Sequence, residues 1–123
     1  RAIRAARALG RTGLVRETEF GALALLLSAA DSEAAGDLVR EAIGPLLEYD
    51  AGHGGTLAPT LRAYCRHGGR PQATADELGI HVTTLRYRLG RVRELFALNP
   101  DDPDTRFALD LALRLHRLGG AEA

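Results

Sequence analysis

Three positions constrain this chain more than any others: Ala75, Gly79 and Leu85. A small residue, a glycine four positions on and an aliphatic six beyond that let two helices cross closely after a short turn. Ala75 is small enough for a second helix to rest on it. Gly79 can take a positive φ without a Cβ clash. Leu78, Ile80, Leu85 and Leu89 fill the wedge between the two helices. The triple sits between clean helix punctuation. Pro71 opens one helix, Gly79 ends it, "IHV" turns the chain, and a helix over 83–96 follows.

That second helix has two unlike edges. At about 100° per residue, Leu85, Leu89, Val92 and Phe96 fall in one narrow arc and form a core seam. The opposite face presents Thr83, Tyr87 and Gly90, flanked by Arg86 on one side and by Thr84 and Arg91 on the other. Arg88 and Arg93 lie nearer the seam, so their guanidiniums reach outward or meet a neighbour. Four arginines thus fall within 86–93 with no acid among them.

The formal net charge is zero, and that zero hides a pattern. Residues 1–16 carry five Arg and no acid, whereas residues 17–61 carry one Arg and eight acids. Residues 62–93 then carry seven Arg against two acids, and 94–123 three Arg against six acids. A basic block of this kind can meet a polyanion. A helix entering the DNA major groove needs short polar residues at its start and cations beside them. Thr83 and Thr84 fit close approach to a phosphate. Arg86 can reach guanine O6 and N7, and Tyr87 a base edge or phosphate. Arg91, His81, Arg66 and Arg70 suit phosphates, which supply affinity rather than sequence choice, and Arg88 is counted with the DNA-binding residues. Double-stranded DNA is the expected partner. Two readings stay open beside a sequence-specific regulator: a helical interaction or oligomerisation module with a solvated basic face, and a Fis-like architectural DNA-binding protein.

The rest of the chain reads as mainly helical. A helix over 1–10, a strand over 14–20 and a buried helix over 21–30 are expected. A helix over 33–43, capped by Asp31 or Ser32, is interrupted at Gly44-Pro45. "DAGHGG" reads as a linker. Thr56 then caps a helix over 57–67, and Asp102 with Pro103 starts a last helix running to about 118. The expected organisation is an α+β remnant over 1–50, a linker at 51–55 and a helix-turn-helix domain of four to five helices over 56–118. The last helix is apolar around most of its circumference. Residues 21–49 or a second copy must therefore cover it, and a homodimer is expected.

Little else suggests chemistry. Cys65 is the only cysteine and excludes a disulfide framework. Cys65 and His67, two residues apart on a helix, face different ways and do not make a nucleophile–base pair. His53, His67, His81 and His116 lack metal-ligand spacing. The acids at 101–104 lack the EF-hand pattern. No enzyme, metal or cofactor is expected. No apolar run approaches a membrane span, which suggests a cytoplasmic protein. The absence of Met suggests a piece of a longer protein.

Three stretches carry a resemblance: "TLRAY" (60–64), the pattern from Ala75 through "LGIH" and "TLRYRL" to Leu89, and "DDPDTRFALDLAL" (101–113). Together they resemble the C-terminal helix-turn-helix domain of PucR/CdaR-type bacterial transcriptional regulators, over about residues 44–118. His81 to Leu89 is the most specific part. The family usually has Asn or Ser where Thr83 stands, which leaves base preference open. The upstream residues look like the tail of the GGDEF-like domain that precedes it in these regulators. The resemblance implies DNA binding by 83–96 and places effector sensing in regions outside this chain.

Overall fold

The computed structural model describes residues 17–121. Those residues form six α-helices and no strand: α1 (Glu17–Ala29), α2 (Glu33–Gly52), α3 (Leu57–Arg66), α4 (Pro71–Leu78), α5 (Val82–Phe96) and α6 (Pro103–Ala121). The helix expected over 1–10 lies outside the described residues. The strand expected over 14–20 does not hold where it can be followed, because 17–20 form the first turn of α1. Glu17 and Glu19 favour a helix start, where the peptide dipoles leave positive charge, and the Ala/Leu run behind them favours helix over strand. The α+β remnant is therefore corrected to helix. α1 is also less buried than its apolar run suggests: Leu23 is buried, while Leu25 is 70% exposed.

Ser32 caps α2 by accepting from the Ala35 amide at 3.1 Å. The helix then runs straight through Gly44-Pro45 instead of stopping there. An interior proline costs about 3 kcal/mol. Ile43 and Leu46 flank it, both fully buried, and each such burial is worth about 1.5–3 kcal/mol. Burial on both sides thus offsets the break, while the ring of Pro45 itself is exposed.

The "DAGHGG" stretch is a capped corner. Asp50 is buried, and its two carboxylate oxygens accept from the amides of Leu57 at 3.0 Å and Ala58 at 2.7 Å. Thr56, the expected cap, makes no side-chain capping bond. The preceding turn of α2 stacks Tyr49 on His53, with ring centroids 3.9 Å apart.

The core gathers Ile43 and Leu46 of α2, Leu57, Leu61 and Tyr64 of α3, Ala75 of α4, Leu85, Leu89 and Val92 of α5, and Leu109, Ala112 and Leu113 of α6. α4 and α5 pack on each other and both pack on α3. α6 lies against α3 on one side and against α1 and α2 on the other. The wide apolar arc of α6 is thus largely covered within the chain. Phe107 is the exception, at 69% exposure.

Candidate nucleic-acid interface

The turn between α4 and α5 follows from the residues that flank it. Gly79 takes the left-handed conformation (φ 66°, ψ 33°). Its amide donates to the Asp76 carbonyl at 3.2 Å, and the Ile80 amide donates to the Ala75 carbonyl at 3.1 Å. This double bond pattern is a Schellman closure, which satisfies two carbonyls at the end of α4. His81 then caps α5 through Nδ1, which accepts from the Thr83 amide at 3.1 Å. Ala75 is completely buried beneath Leu85 and its neighbours in the core.

The packing of Leu85, Leu89 and Val92 fixes what α5 shows to solvent. Thr83, Thr84, Arg86 and Tyr87 are all exposed. Tyr87 is 67% exposed, a large aromatic in open view beside a guanidinium. Among the described residues, neither Arg86 nor Thr84 has a hydrogen-bond or ion-pair partner. The far end of α5 closes at Ala97, itself left-handed (φ 54°), whose amide donates to the Arg93 carbonyl.

The other expected contacts divide into groups. His81 is exposed, but its ring is engaged in the helix cap. Arg70 is exposed at the start of α4 and makes no side-chain cap. Arg66 is not free: Glu77 of α4 pairs with its guanidinium and also takes His67 Nε2 at 2.8 Å. The Arg66 hydrogen bond, with help from His67, holds the Glu77 carboxyl below the usual carboxylate range. Arg91 donates to the Tyr49 hydroxyl at 3.2 Å and lies 3.7 Å from Glu94. Arg88 departs most from the expected surface role. Its Nη1 reaches inward to Thr60 Oγ1 at 3.3 Å, so α5 spends this cation on α3. Arg93 pairs with Asp101 at 3.6 Å, and Asp101 also takes the Tyr64 hydroxyl.

Sequence reading did not single out Tyr49, Thr60, Glu77 or Asp101 for these roles. The partners stand 42, 28, 11 and 37 residues apart along the chain, so no local spacing signals them. Cys65 is half-buried, and burial pushes its thiol up to about 12, with Asp110 adding to the effect. It is not poised as a nucleophile. The described residues hold no cluster of three or more His, Cys, Asp or Glu placed to bind a metal. No described helix is long and apolar enough to cross a membrane.

The two helices joined at Gly79 thus present one open edge bearing Thr83, Thr84, Arg86 and Tyr87. Residues 57–115 match the PucR C-terminal helix-turn-helix domain. The match spans α3 to most of α6, so it takes in the whole turn and the whole exposed edge of α5. Carbohydrate diacid regulator of Escherichia coli K12 is 46% identical over 61 residues, 50% of this chain and 16% of that protein. Purine catabolism regulatory protein of Bacillus subtilis 168 is 38% identical over 63 residues, 51% of this chain and 12% of that protein. A longer alignment exists with an uncharacterized protein of Thermomonospora curvata: 36% identity over 108 residues, 88% of this chain and 57% of that protein. The chain therefore spans only part of the relatives it matches. No solved structure matches it significantly. These similarities support a DNA-binding domain of the transcription-regulator type in this segment.

Proposed function

We propose that this chain is the DNA-binding part of a PucR/CdaR-type transcriptional regulator, and that α5 reads its operator from the major groove. One observation carries the reading: the edge of α5 bearing Thr83, Thr84, Arg86 and Tyr87 is open, while the opposite edge is buried to hold it in place. Arg86, unengaged among the described residues, is the residue assigned to base edges. Thr83, Thr84 and Tyr87 flank it at the groove. Arg91, Arg70, Arg66 and His81 are assigned to the phosphate backbone, with Arg66 and Arg91 exchanging their present partners for it. Arg88 keeps its bond to Thr60 and contributes through the placement of α5. The protein acts in the cytoplasm, where its operator is. On DNA we propose two copies on half-sites about one helical turn apart.

Selection of bound sequences from a random duplex pool, followed by footprinting, tests this. Arg86→Ala is expected to cost about 1–3 kcal/mol on the selected site and to relax preference at one position. An unchanged footprint would refute the placement of α5. Binding that fails to weaken steeply with salt would favour an interaction module instead. Equal affinity for selected and random duplex would favour an architectural DNA-binding protein.

A further inference from the structure

A second basic cluster lies between α3 and α6, and no α5 residue lines it. Arg62, Arg66, Arg114 and Arg117 line an open pocket of about 40 Å³ together with Leu113 and with Asp110, the single acid among the described residues that line it. Asp110 is already engaged, accepting from Arg114 Nε at 2.8 Å. Arg66 is paired outside the cavity with Glu77. Arg62 and Arg117 have no carboxylate bonded to them among the described residues. The Arg62 Nε is buried and has no hydrogen-bond partner among the described residues. Burial first, and then the charges of Arg117 and Arg66, make the Arg62 guanidinium a weaker base than usual; Asp50 opposes this only in part. Both oxygens of Asp50 are occupied by the α3 amides.

Like charges gathered around a cavity, with a buried donor left unsatisfied, are costly. An orphaned buried donor forfeits about 1–3 kcal/mol, more when charged. An anion seated among these guanidiniums offsets the gathered like charge. We propose that this pocket binds an oxyanion of the phosphate class, held by Arg62 and Arg117 with Arg114 and Arg66 at its rim. Several guanidiniums lining one pocket suit the three or more oxygens of a phosphoryl group. The cavity exceeds what a single water requires, about 10–15 Å³. The phosphoryl group has two sources: a phosphodiester of bound DNA, or a free phosphorylated small molecule.

Nuclear magnetic resonance of the Arg62 Nε–H in the 123-residue chain tests the proposal. Inorganic phosphate is titrated against chloride at matched ionic strength and pH. A saturable shift with phosphate is expected, and Arg117→Gln should weaken it about tenfold, the loss of one charge-assisted hydrogen bond. Arg117 is exposed, so this variant should keep its fold, which thermal melting verifies. Addition of duplex DNA separates the sources. If the group belongs to DNA, the duplex alone moves the resonance and phosphate moves it no further. If it belongs to a small molecule, phosphate still moves the resonance in the DNA complex. A resonance indifferent to both, or a phosphate shift of equal strength in Arg117→Gln, overturns the proposal. Arg86→Ala keeps its own effect on site preference in every case, so this pocket and the α5 reading fail separately.

Discussion

Replacing Asp50 with Ala tests how the two ends of this fold are joined. Asp50 accepts from two α3 amides, at 3.0 and 2.7 Å, while only 9% exposed. Its removal leaves two buried N–H groups without an acceptor, each worth about 1–3 kcal/mol. Ala is the better helix former within α2 and returns about 0.5 kcal/mol. The expected net loss is about 2–5 kcal/mol, a large part of the roughly 5–15 kcal/mol that holds a domain of this size together. At about 4 °C per kcal/mol, the melting temperature should fall by roughly 8–20 °C. Asp50→Asn keeps one carbonyl acceptor and should lose about half as much. Urea denaturation followed by circular dichroism gives the stabilities. Amide hydrogen exchange should show the Leu57 and Ala58 N–H groups losing protection first. A loss for Asp50→Ala under about 0.5 kcal/mol would mean that these bonds do not hold α3 in place. Equal losses for Asn and Ala would show that the number of acceptors is not what matters.

Other outcomes follow from the same geometry. Glu77→Gln frees Arg66 and His67 from their carboxylate, so it should raise affinity for every duplex alike and steepen the salt dependence by about one phosphate contact, measured by titration at several salt concentrations. Gly79→Ala meets no atom within 4 Å, so its cost is the backbone's alone, about 1–2 kcal/mol in a urea melt. Ala97→Gly relieves the same left-handed conformation (φ 54°) and should stabilise by up to about 1 kcal/mol. Tyr64 is pushed up to about 12, by burial first and then by its bond to Asp101, and Cys65 also to about 12. Both groups hold their protons longer folded than unfolded, so their contribution is intact below about pH 9 and is lost as pH rises toward 12. Urea midpoints should fall steadily across that window. Cys65 should alkylate at least about a hundredfold more slowly at pH 8 than a free thiol.

The local devices were legible because they are written in neighbouring residues. Gly79, Ser32, Asp102 and the 4-3-4 spacing of Leu85, Leu89, Val92 and Phe96 each act within a turn or two of helix. The structure shows Gly79 left-handed, Ser32 and Asp102 capping, and the seam facing inward. The exposed set Thr83, Thr84, Arg86 and Tyr87 follows from that seam, since a helix with one edge packed must show the other. Where local rules misled, a distant partner had intervened. Thr56 looked like a cap, but Asp50, seven residues before Leu57, holds that amide. Gly44-Pro45 looked like a break, but the burial of Ile43 and Leu46 carries the helix through it.

Taken alone, then, the sequence determined the two helices, the turn between them and the polar edge of α5, because caps, glycine conformation and amphipathic period are short-range properties. Only tertiary structure decided how the arginines are used. A guanidinium at the end of a long flexible stem takes whichever acceptor the fold brings near it. So Arg88 turns to Thr60, Arg91 to Tyr49 and Arg66 to Glu77, Arg86 stands open, and the Nε of Arg62 is buried with no acceptor among the described residues.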